Sequence, residues 1–313
     1  MRAIGVDLGG TKISFGVVEN DGKLLSEYRL PTPNTWEKMR KLIGEAHEKF
    51  TDEFEDIVAL GFGAAGLISL EGYAFYSPNV PAFNGGAALL EDLTKDLDIP
   101  VVIDNDNNCS AFAESQFGSA AGKNNVLVVG LGTGIGGAYI LDGKVLRGAH
   151  GFAGELGHFV VQENGPKCAC GKNGCYEALA SGAALGRIAR EYAQQGKASK
   201  IFDMVHDISE INGTHVRLSA ENGDKQALEI IDIYANNVAN GLVSLTNIFD
   251  PEIIVISGGL VEMGEMLLEP VAKYFLLESE GGSNRPLANI VLAKLGEKAG
   301  VVGAGALALS SLV

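Results

Sequence analysis

The amino-acid sequence predicts an α/β protein built from two similar lobes. Apolar strands alternate with helical segments along the chain, which is typical of sheets covered by helices. A strand–glycine turn–strand unit that ends in Asp-Gly-Lys occurs over residues 6–23 and again over residues 129–144. With 313 residues and 46% hydrophobic content, the chain can bury the cores of two domains. Because ligand sites favour domain interfaces, we expect the ligand cleft between the lobes.

The first half of the chain predicts a hairpin-rich sheet followed by strand–helix units. Asp21-Gly22 is a hairpin signal between two of the strands. Periodicity predicts strands over 2–8, 13–19, 23–30, 57–63 and 100–104. It predicts helices over 35–50, 87–97 and 108–117.

The pattern starts again near residue 125 and then continues as alternating helices and strands. Asp142-Gly143 is a second hairpin signal, and Pro251 ends a long helix. The predicted strands cover 126–130, 135–141 and 252–257. The predicted helices cover 182–195, 224–249 and 300–312.

Composition excludes several classes of partner. The net charge is −15 and the isoelectric point about 4.8, so the phosphates of a nucleic acid would be repelled. The chain opens directly on an apolar strand, without a signal peptide, and no apolar run approaches the roughly 18 residues that span a bilayer. Four cysteines suit a reducing compartment better than a disulfide scaffold. We therefore expect a cytoplasmic protein without membrane or nucleic-acid partners.

One imidazole and three thiols occur close together and predict a structural zinc site. The residues are His158, Cys168, Cys170 and Cys175, a ligand set that closes a tetrahedral Zn²⁺ site without an open position. The alternatives are a disulfide or three unrelated core thiols, and a Cys168–Cys170 bridge would be badly strained. Cys109 is left over and is expected to be a buried helix thiol.

A glycine turn after the first strand is a candidate phosphate loop. Glycines let backbone N–H groups approach a phosphate closely, while Thr11 adds a hydroxyl donor and Lys12 a positive charge. Asp7, at the end of the strand, is placed to hold Mg²⁺ through a water. The alternative is a plain hairpin turn. The candidate residues of this loop are Asp7, Gly9, Gly10, Thr11 and Lys12.

Two further glycine turns follow buried strands and strengthen the prediction of a nucleotide site. One lies in the second copy of the repeated unit and could hold a phosphate chain from the other side. The other follows the strand IIVIS, where a bare backbone could accommodate adenine or ribose. The candidate residues are Gly132, Thr133, Gly134, Gly258 and Gly259.

Carboxylates and amides at a strand end predict a site for a polyhydroxylated ligand. The run Asp104-Asn105-Asp106-Asn107-Asn108 follows the strand at 100–104. One aspartate could accept a proton from a hydroxyl nucleophile, or either could simply cap the next helix; position alone leaves both open. Glu155 and Glu177 flank the zinc ligands and are either sugar contacts or solvated surface carboxylates.

These residues together resemble the ROK family of repressors, open reading frames and sugar kinases. The match is strongest in Gly154-Glu155-x-Gly157-His158 and in Cys168-x-Cys170-Gly171-x-x-Gly174-Cys175-x-Glu177. The resemblance covers residues 4 to about 309 and implies an actin-like (ribonuclease H-like) fold with ATP and sugar bound between two lobes. We expect a small lobe at 1–118 plus 298–313, and a large lobe at 119–297 that carries the zinc.

Residue by residue, the resemblance implies that Asp106 is the catalytic base. It implies sugar contacts from Gly66, Asn79, Asn105, Asp106, Glu155, His158 and Glu177. Two positions depart from the family pattern. Ala65 stands where many relatives have proline, and Asn107 replaces an alanine, so it either perturbs Asp106 or adds a polar contact.

The implied reaction is ATP-dependent phosphorylation of a hexose at its 6-hydroxyl, with glucose as the expected substrate. The implied cofactors are ATP, Mg²⁺ and a structural Zn²⁺, and relatives are commonly homodimers or homotetramers. Alternative substrates are N-acetylmannosamine, N-acetylglucosamine, fructose and allose, and polyphosphate stays open as a donor. A sugar-responsive repressor is a remote alternative, because the phosphate-loop strand begins at residue 2 and leaves no room for a DNA-binding domain.

Overall fold

The computed structural model describes residues 1–312 and, for Ser199, the backbone alone. Its strands are β1 (Arg2–Leu8), β2 (Lys12–Glu19), β3 (Leu24–Pro31), β4 (Ile57–Ala64), β5 (Leu67–Ile68), β6 (Ala74–Tyr76), β7 (Val101–Asn105), β8 (Val126–Leu131), β9 (Ile135–Leu141), β10 (Lys144–Val145), β11 (Ile253–Ser257) and β12 (Asn289–Leu292). Its helices are α1 (Trp36–Glu53), α2 (Leu89–Asp96), α3 (Asp106–Phe117), α4 (Tyr176–Ala180), α5 (Gly182–Gln194), α6 (Ser199–Phe202), α7 (Gly213–Glu221), α8 (Lys225–Phe249), α9 (Glu265–Glu278) and α10 (Ala299–Ser310). Short 3₁₀ turns lie at Pro81–Phe83, Leu156–His158, Ile208–Glu210, Gly259–Met263, Gly282–Asn284 and Gly296–Lys298.

Two sheets of equivalent topology confirm the predicted duplication. The first has the order β3-β2-β1-β4-β7 and the second has the order β10-β9-β8-β11-β12. In each sheet, the first strand of the repeated unit pairs in parallel with a strand that comes later in the chain. These pairs are β1 with β4 and β8 with β11. The α/β class inferred from the sequence is therefore confirmed.

The chain divides into two compact units. Unit 1 contains Met1–Asn124, Ala138–Gly154 and Lys294–Val313, and unit 2 contains Asn125–Gly137 and Glu155–Ala293. Within residues 1–312, no helix is long and apolar enough to cross a membrane.

In unit 1, the first sheet is covered on one face by a large apolar core. Trp36 and Phe50 of α1 pack with Phe62 of β4 and with strand residues such as Ile4 and Phe15, and all of them are buried. The amphipathic pattern of α1 places these apolar residues on one helix face, and the Thr35 hydroxyl accepts from the amide of Lys38 to start the helix.

Helix α10 approaches the first sheet very closely because glycines lie beneath it. A Cβ at Gly61 would lie 1.8 Å from the carbonyl oxygen of Ala304, and a Cβ at Gly5 would lie 2.0 Å from that of Val301. Both obstacles are backbone atoms, which cannot rotate away. The closeness of α10 to the sheet therefore depends on these glycines.

Replacing Gly61 with alanine should destabilise the protein by about 3 kcal/mol or more, the upper end of the usual range for overpacking, because helix α10 must shift. The denaturant midpoint measures this loss. Gly44→Ala is the matched control, since Gly44 lies inside α1 with nothing within 4 Å of its Cβ position. That control should gain up to about 1 kcal/mol from helix propensity. Equal midpoints for the two variants would contradict the packing argument.

In unit 2, the long helix α8 holds the short helix α4 through buried tyrosines. The Tyr176 hydroxyl donates to the carbonyl of Val238 (2.9 Å), and the Tyr234 hydroxyl donates to the carbonyl of Ala180 (2.6 Å). Gly241 faces the Tyr176 ring, and a Cβ there would lie 2.0 Å from it. Because burying an unpaired hydroxyl is costly, these bonds fix the position of α4 on α8.

Candidate active site

Three parallel strands of unit 1 end at one edge of the first sheet, and this edge collects predicted site residues. β4 lies between β1 and β7, with Gly63 opposite both Asp7 and Asp104. Ligand sites of α/β sheets favour the carboxyl ends of the strands. A Cβ at Gly10 would lie 2.7 Å from the carbonyl oxygen of Asn79, so that residue joins the same edge. The predicted residues of unit 1 are Asp7, Gly9, Gly10, Thr11, Lys12, Gly66, Asn79, Asn105 and Asp106.

Asp106 is the first residue of helix α3, two residues earlier than the predicted start of that helix. The reason is Asn105, whose side-chain oxygen accepts from the amides of Asn107 (2.8 Å) and Asn108 (3.3 Å) and caps the helix. The Asn105 amide group also donates to the carbonyl of Gly66 (3.0 Å). The cap is therefore an asparagine, and it holds the turn that carries Asp106.

Asn107 adds a polar contact to the aspartate that precedes it. Its side-chain nitrogen lies 3.1 Å, and its backbone nitrogen 3.0 Å, from Oδ1 of Asp106. From the sequence, we expected Asn107 either to perturb Asp106 or to add a polar contact, and the structure contains the polar contact. The neighbouring aspartate, Asp104, forms an ion pair with Arg147.

Asp7 is a partly buried carboxylate beside other charged groups. Its pKa is raised from the ordinary value of 3.8 to about 7, mainly because the surrounding protein desolvates the carboxyl group and in part because Asp106 is negative, while Arg29 lowers it. A Cβ at Gly300 would lie 2.4 Å from Cγ of Asp7, so the first turn of α10 lies against this carboxyl group. A carboxylate oxygen is a ligand type that Mg²⁺ prefers, and Asp7 fits the predicted magnesium site on that ground.

Asp7→Asn should stabilise the metal-free protein in a pH-dependent way. Between about pH 4 and pH 7, folded Asp7 keeps a proton that the unfolded chain loses, so wild-type stability falls as the pH rises through this window. Asparagine does not titrate, and its advantage should grow to on the order of 4 kcal/mol above pH 7. Urea unfolding from pH 4 to pH 8 measures it. Asp98→Asn is the exposed control; a pH-independent difference for Asp7→Asn would refute the prediction.

In unit 2, two glycine turns lie at the carboxyl ends of paired strands. β8 and β11 are parallel, with Gly130 opposite Ser257, and the turns follow directly. Gly258 has φ +86°, and a Cβ there would lie 2.5 Å from the carbonyl oxygen of Leu131, so only glycine fits. The Gly132 carbonyl accepts from the amide of Gly182 at the start of α5 (2.7 Å). The structure thus places the predicted residues Gly132, Thr133, Gly134, Gly258 and Gly259 on neighbouring turns.

The four predicted zinc ligands converge in unit 2. Their donor atoms all lie within 4.8 Å of one another: His158, Cys168, Cys170 and Cys175. The Sγ atoms of Cys170 and Cys175 are 3.6 Å apart, and Nδ1 of His158 is 3.6 Å from Sγ of Cys168. A tetrahedral site with Zn–S bonds of about 2.3 Å requires S–S separations of about 3.8 Å, so the donor set fits the ion.

Glu177 connects the zinc ligands with the glycine turn after β8. Its Oε2 accepts from the amide of Ile135 (2.9 Å), and its Oε1 lies 3.6 Å from Sγ of Cys168. A Cβ at Gly134 would lie 2.4 Å from the same Oε2. The sequence predicted Glu177 as a sugar contact, and its contact with a nucleotide turn was not foreseen.

Glu155 precedes the 3₁₀ turn that carries His158. It is solvent-accessible, but the protein around it still desolvates its carboxyl group and raises its pKa. His158 lowers this pKa and the negative Glu177 raises it. The Glu155 carbonyl accepts from the amide of His158 (3.1 Å). Glu155, His158 and Glu177 therefore influence one another electrostatically.

Comparison with known proteins gives this geometry a context. The profile described as "ROK family" matches residues 3–311. The chain belongs to the ROK family. A glucokinase of Streptomyces coelicolor is 38% identical over 309 residues, which cover 97% of this chain and 96% of that protein. A ROK family glucokinase of Streptomyces griseus, crystallised with glucose and AMPPNP, is 36% identical with a TM-score of 0.84, covering 99% of this chain and 100% of that one.

Other relatives include a further glucokinase and kinases named for other sugars. A glucokinase of Thermotoga maritima is 34% identical over 313 residues, covering 98% of this chain and 97% of that protein. Kinases named for N-acetylgalactosamine and N-acetyl-D-glucosamine also match, each at 31% identity. The chain has the fold of the ROK sugar kinases, which is the actin-like ATPase fold, as the resemblance implied.

The sequence did not identify several groups that shape the site. These are Arg147, which pairs with Asp104, and Gly300, which lies against Asp7. Both contacts join segments far apart in the chain, and a lone arginine or a helix-start glycine carries no local signal. The one signal in the sequence that could have indicated Arg147 is its position shortly before the family signature at Gly154.

Proposed function

We propose that the protein is a glucokinase that transfers the γ-phosphoryl group of ATP to the 6-hydroxyl of glucose. Similarity to the S. griseus enzyme over the whole chain supports this proposal, because that enzyme was crystallised with glucose and an ATP analogue. The presence of the ROK signature with its zinc ligands, Glu155 and Glu177 supports a sugar-binding role.

Asp106 is the proposed general base. It begins α3 at the edge of the first sheet that also carries Asp7 and the first glycine turn, and this arrangement is the observation that carries the proposal. Both oxygens of Asp104 already accept hydrogen bonds, Oδ1 from Asn105 and Asn108 and Oδ2 from Arg147. This favours Asp106 over Asp104 as the base. Asp106 would accept the proton of the 6-hydroxyl as that oxygen attacks the γ-phosphorus.

Backbone amides are the proposed donors to the phosphates. Within Gly9–Lys12 and Gly132–Gly134, the amides of Gly9 and Gly132 close the turns by donating to the carbonyls of Lys12 and Gly134. The other amides of these turns would stabilise the charge that develops on the transferred group, and the hydroxyls of Thr11 and Thr133 would add donors. Mg²⁺ held beside Asp7 would neutralise phosphate charge when bound. Gly258 and Gly259 offer an open backbone to the nucleoside.

The proposed sugar contacts combine amides, carboxylates and the imidazole. Asn79 and Asn105 supply amide groups, Gly66 supplies close backbone approach, and Glu155, His158 and Glu177 supply acceptors for hydroxyls. The zinc ion would be structural: it would bind His158 through Nδ1 and fix the orientation of the ring. The loop that carries the zinc ligands would then direct Glu155, His158 and Glu177 toward the sugar.

A coupled assay of initial rates tests the proposal. The panel contains glucose, mannose, fructose, allose, N-acetylglucosamine and N-acetylmannosamine, each with ATP and with polyphosphate. We expect the highest kcat/KM for glucose with ATP. Preference for an N-acetylhexosamine, which the 31% identical kinases make the second candidate, would reject the glucose assignment but keep the chemistry. No phosphoryl transfer to any sugar would reject the kinase.

We also propose a homodimer or homotetramer in the cytoplasm, with functional lobes at 1–118 plus 298–313 and at 119–297. A reducing compartment suits the four free thiols. Light scattering after size exclusion tests the assembly, and a mass corresponding to one chain of 32.8 kDa would reject it.

A further inference from the structure

Arg147 and Asp104 form a close ion pair within unit 1. Arg147 follows β10, and it donates from Nε (2.8 Å) and from Nη2 (2.7 Å) to Oδ2 of Asp104. Asp104 lies in β7 and is only 6% exposed. A buried carboxylate needs a partner charge, and a guanidinium that donates twice is a strong one. The pair therefore ties the segment after β10 to the end of β7.

The other oxygen of Asp104 holds the turn that carries the proposed base. Its Oδ1 accepts from the backbone amide of Asn105 (2.8 Å) and from the side-chain amide of Asn108 (2.7 Å). One donor lies one residue before Asp106 and the other lies two residues after it. Asp104 thus holds residues on both sides of Asp106 in the chain. Its two oxygens accept from four donors in total.

We propose that Arg147 is a positioning residue that acts through Asp104 to fix the turn presenting Asp106 to the acceptor hydroxyl. This inference rests on the proposed kinase function. Arg147 fixes Oδ2 of Asp104, and the rigid carboxylate then directs its Oδ1 at Asn105 and Asn108. The Arg147 carbonyl also accepts from the amide of Ala153 (3.1 Å), so the same residue shapes the segment that leads to the family signature.

Steady-state kinetics of Arg147→Met form the first test. Because a misplacement of about 1 Å at a reacting group costs about 10²-fold, kcat should fall by about this factor while the KM values for glucose and ATP stay near those of the wild type. Arg147→Lys keeps the charge but loses the double donation, and it should recover only part of kcat. Arg40→Met is the matched control, because Arg40 also donates from Nε and Nη2, here to the two oxygens of Asp96 (2.8 and 2.7 Å) on an exposed face. It should keep wild-type kcat.

A double variant separates positioning from stability. Arg147→Met alone leaves a buried, unpaired Asp104 and should lower Tm, whereas Asp104→Asn combined with Arg147→Met removes both charges and should recover much of the Tm. Positioning predicts that kcat stays low in this double variant. Recovery of both Tm and kcat would show that Arg147 only compensates a buried charge, and would overturn the inference.

Hydrogen–deuterium exchange gives a readout that does not need activity. In Arg147→Met, amide exchange in a peptide over residues 101–112 should become faster, while a unit 2 peptide over residues 225–249 should be unchanged. Unchanged exchange at 101–112, or wild-type kcat in Arg147→Met, would overturn the inference. If the wild type phosphorylates no sugar, the proposed function fails, and exchange in the variants still decides whether Arg147 orders this turn.

Discussion

Asp106→Asn is expected to lower kcat by about 10²–10⁴-fold, the usual cost of removing a general base. Asparagine has the same shape as aspartate, and its side-chain oxygen can still accept from the two nitrogens of Asn107. The cap from Asn105 is also unaffected, since it uses the Asn105 side chain alone. The variant should therefore fold normally and bind glucose with nearly unchanged affinity, while it cannot take up the hydroxyl proton.

Two measurements check this expectation. Glucose affinity is measured by calorimetry on the variant, and kcat by the coupled assay at saturating glucose and ATP. Asp98→Asn, a change of an exposed carboxylate in the same unit, should leave both quantities unchanged. A fully active Asp106→Asn enzyme would remove Asp106 from the mechanism. Asp104 would be a poor replacement, because its oxygens already accept four hydrogen bonds.

Local sequence signals were sufficient for much of this fold. The predicted strands and helices lie within three residues of the observed ones, because buried strands and glycine turns have short-range signatures. The convergence of the candidate zinc ligands was also predictable, since the spacing of Cys168, Cys170 and Cys175 restricts them to one loop. Both cases depend on residues close together in the chain.

Other elements were missed because their signals are weak or contradictory. Helix α9 (Glu265–Glu278) contains Pro270, which ordinarily argues against a helix interior. The strand β12 (Asn289–Leu292) is short, and it is stabilised by parallel pairing with β11. In both elements, tertiary packing decides the outcome and local propensity does not.

The positioning of the site residues was the least predictable part. Asp104 and Asp106 are two residues apart and of the same residue type, so without the family resemblance the sequence could not separate their roles. The distinction comes from Arg147, which lies 43 residues from Asp104 in the chain and forms an ion pair with it. Glu177 is similar, because its contact with Ile135 spans 42 residues. Long-range pairs of this kind need the fold before they can be recognised.

Removing zinc should weaken glucose binding and lower Tm together. Backbone hydrogen bonds such as that from the amide of Cys168 to the carbonyl of Lys172 (2.8 Å) order the loop between His158 and Cys175. Among the donor atoms themselves, however, the contacts near 3.6 Å are weak ones to sulfur, and the ion would be the strong link between them. The tyrosines keep α4 on α8, but loosening the loop frees His158 and removes the contact of Cys168 with Glu177. A loss of only about 1.4 kcal/mol in sugar binding already corresponds to a tenfold weaker affinity. We expect a loss of at least that size.

The thiols of the cluster make this metal binding dependent on pH. Burial raises the pKa of Cys168 to about 12 and also raises that of Cys175, whereas a hydrogen bond from the Lys172 backbone lowers that of Cys170. At neutral pH, zinc must therefore displace protons from Cys168 and Cys175. Zinc affinity should fall as the pH falls, and chelation should become easier in mild acid.

Chelation followed by calorimetry and thermal unfolding measures these effects, with metal content determined by mass spectrometry. Cys168→Ser should lose zinc and behave like the chelated protein. Cys109→Ala is the matched control, because Cys109 is a buried thiol outside the cluster, and it should keep one zinc per chain and bind glucose normally. A zinc-free protein that binds glucose as tightly as the wild type would show that the loop holds Glu155, His158 and Glu177 without the ion. The metal would then have a role in stability alone.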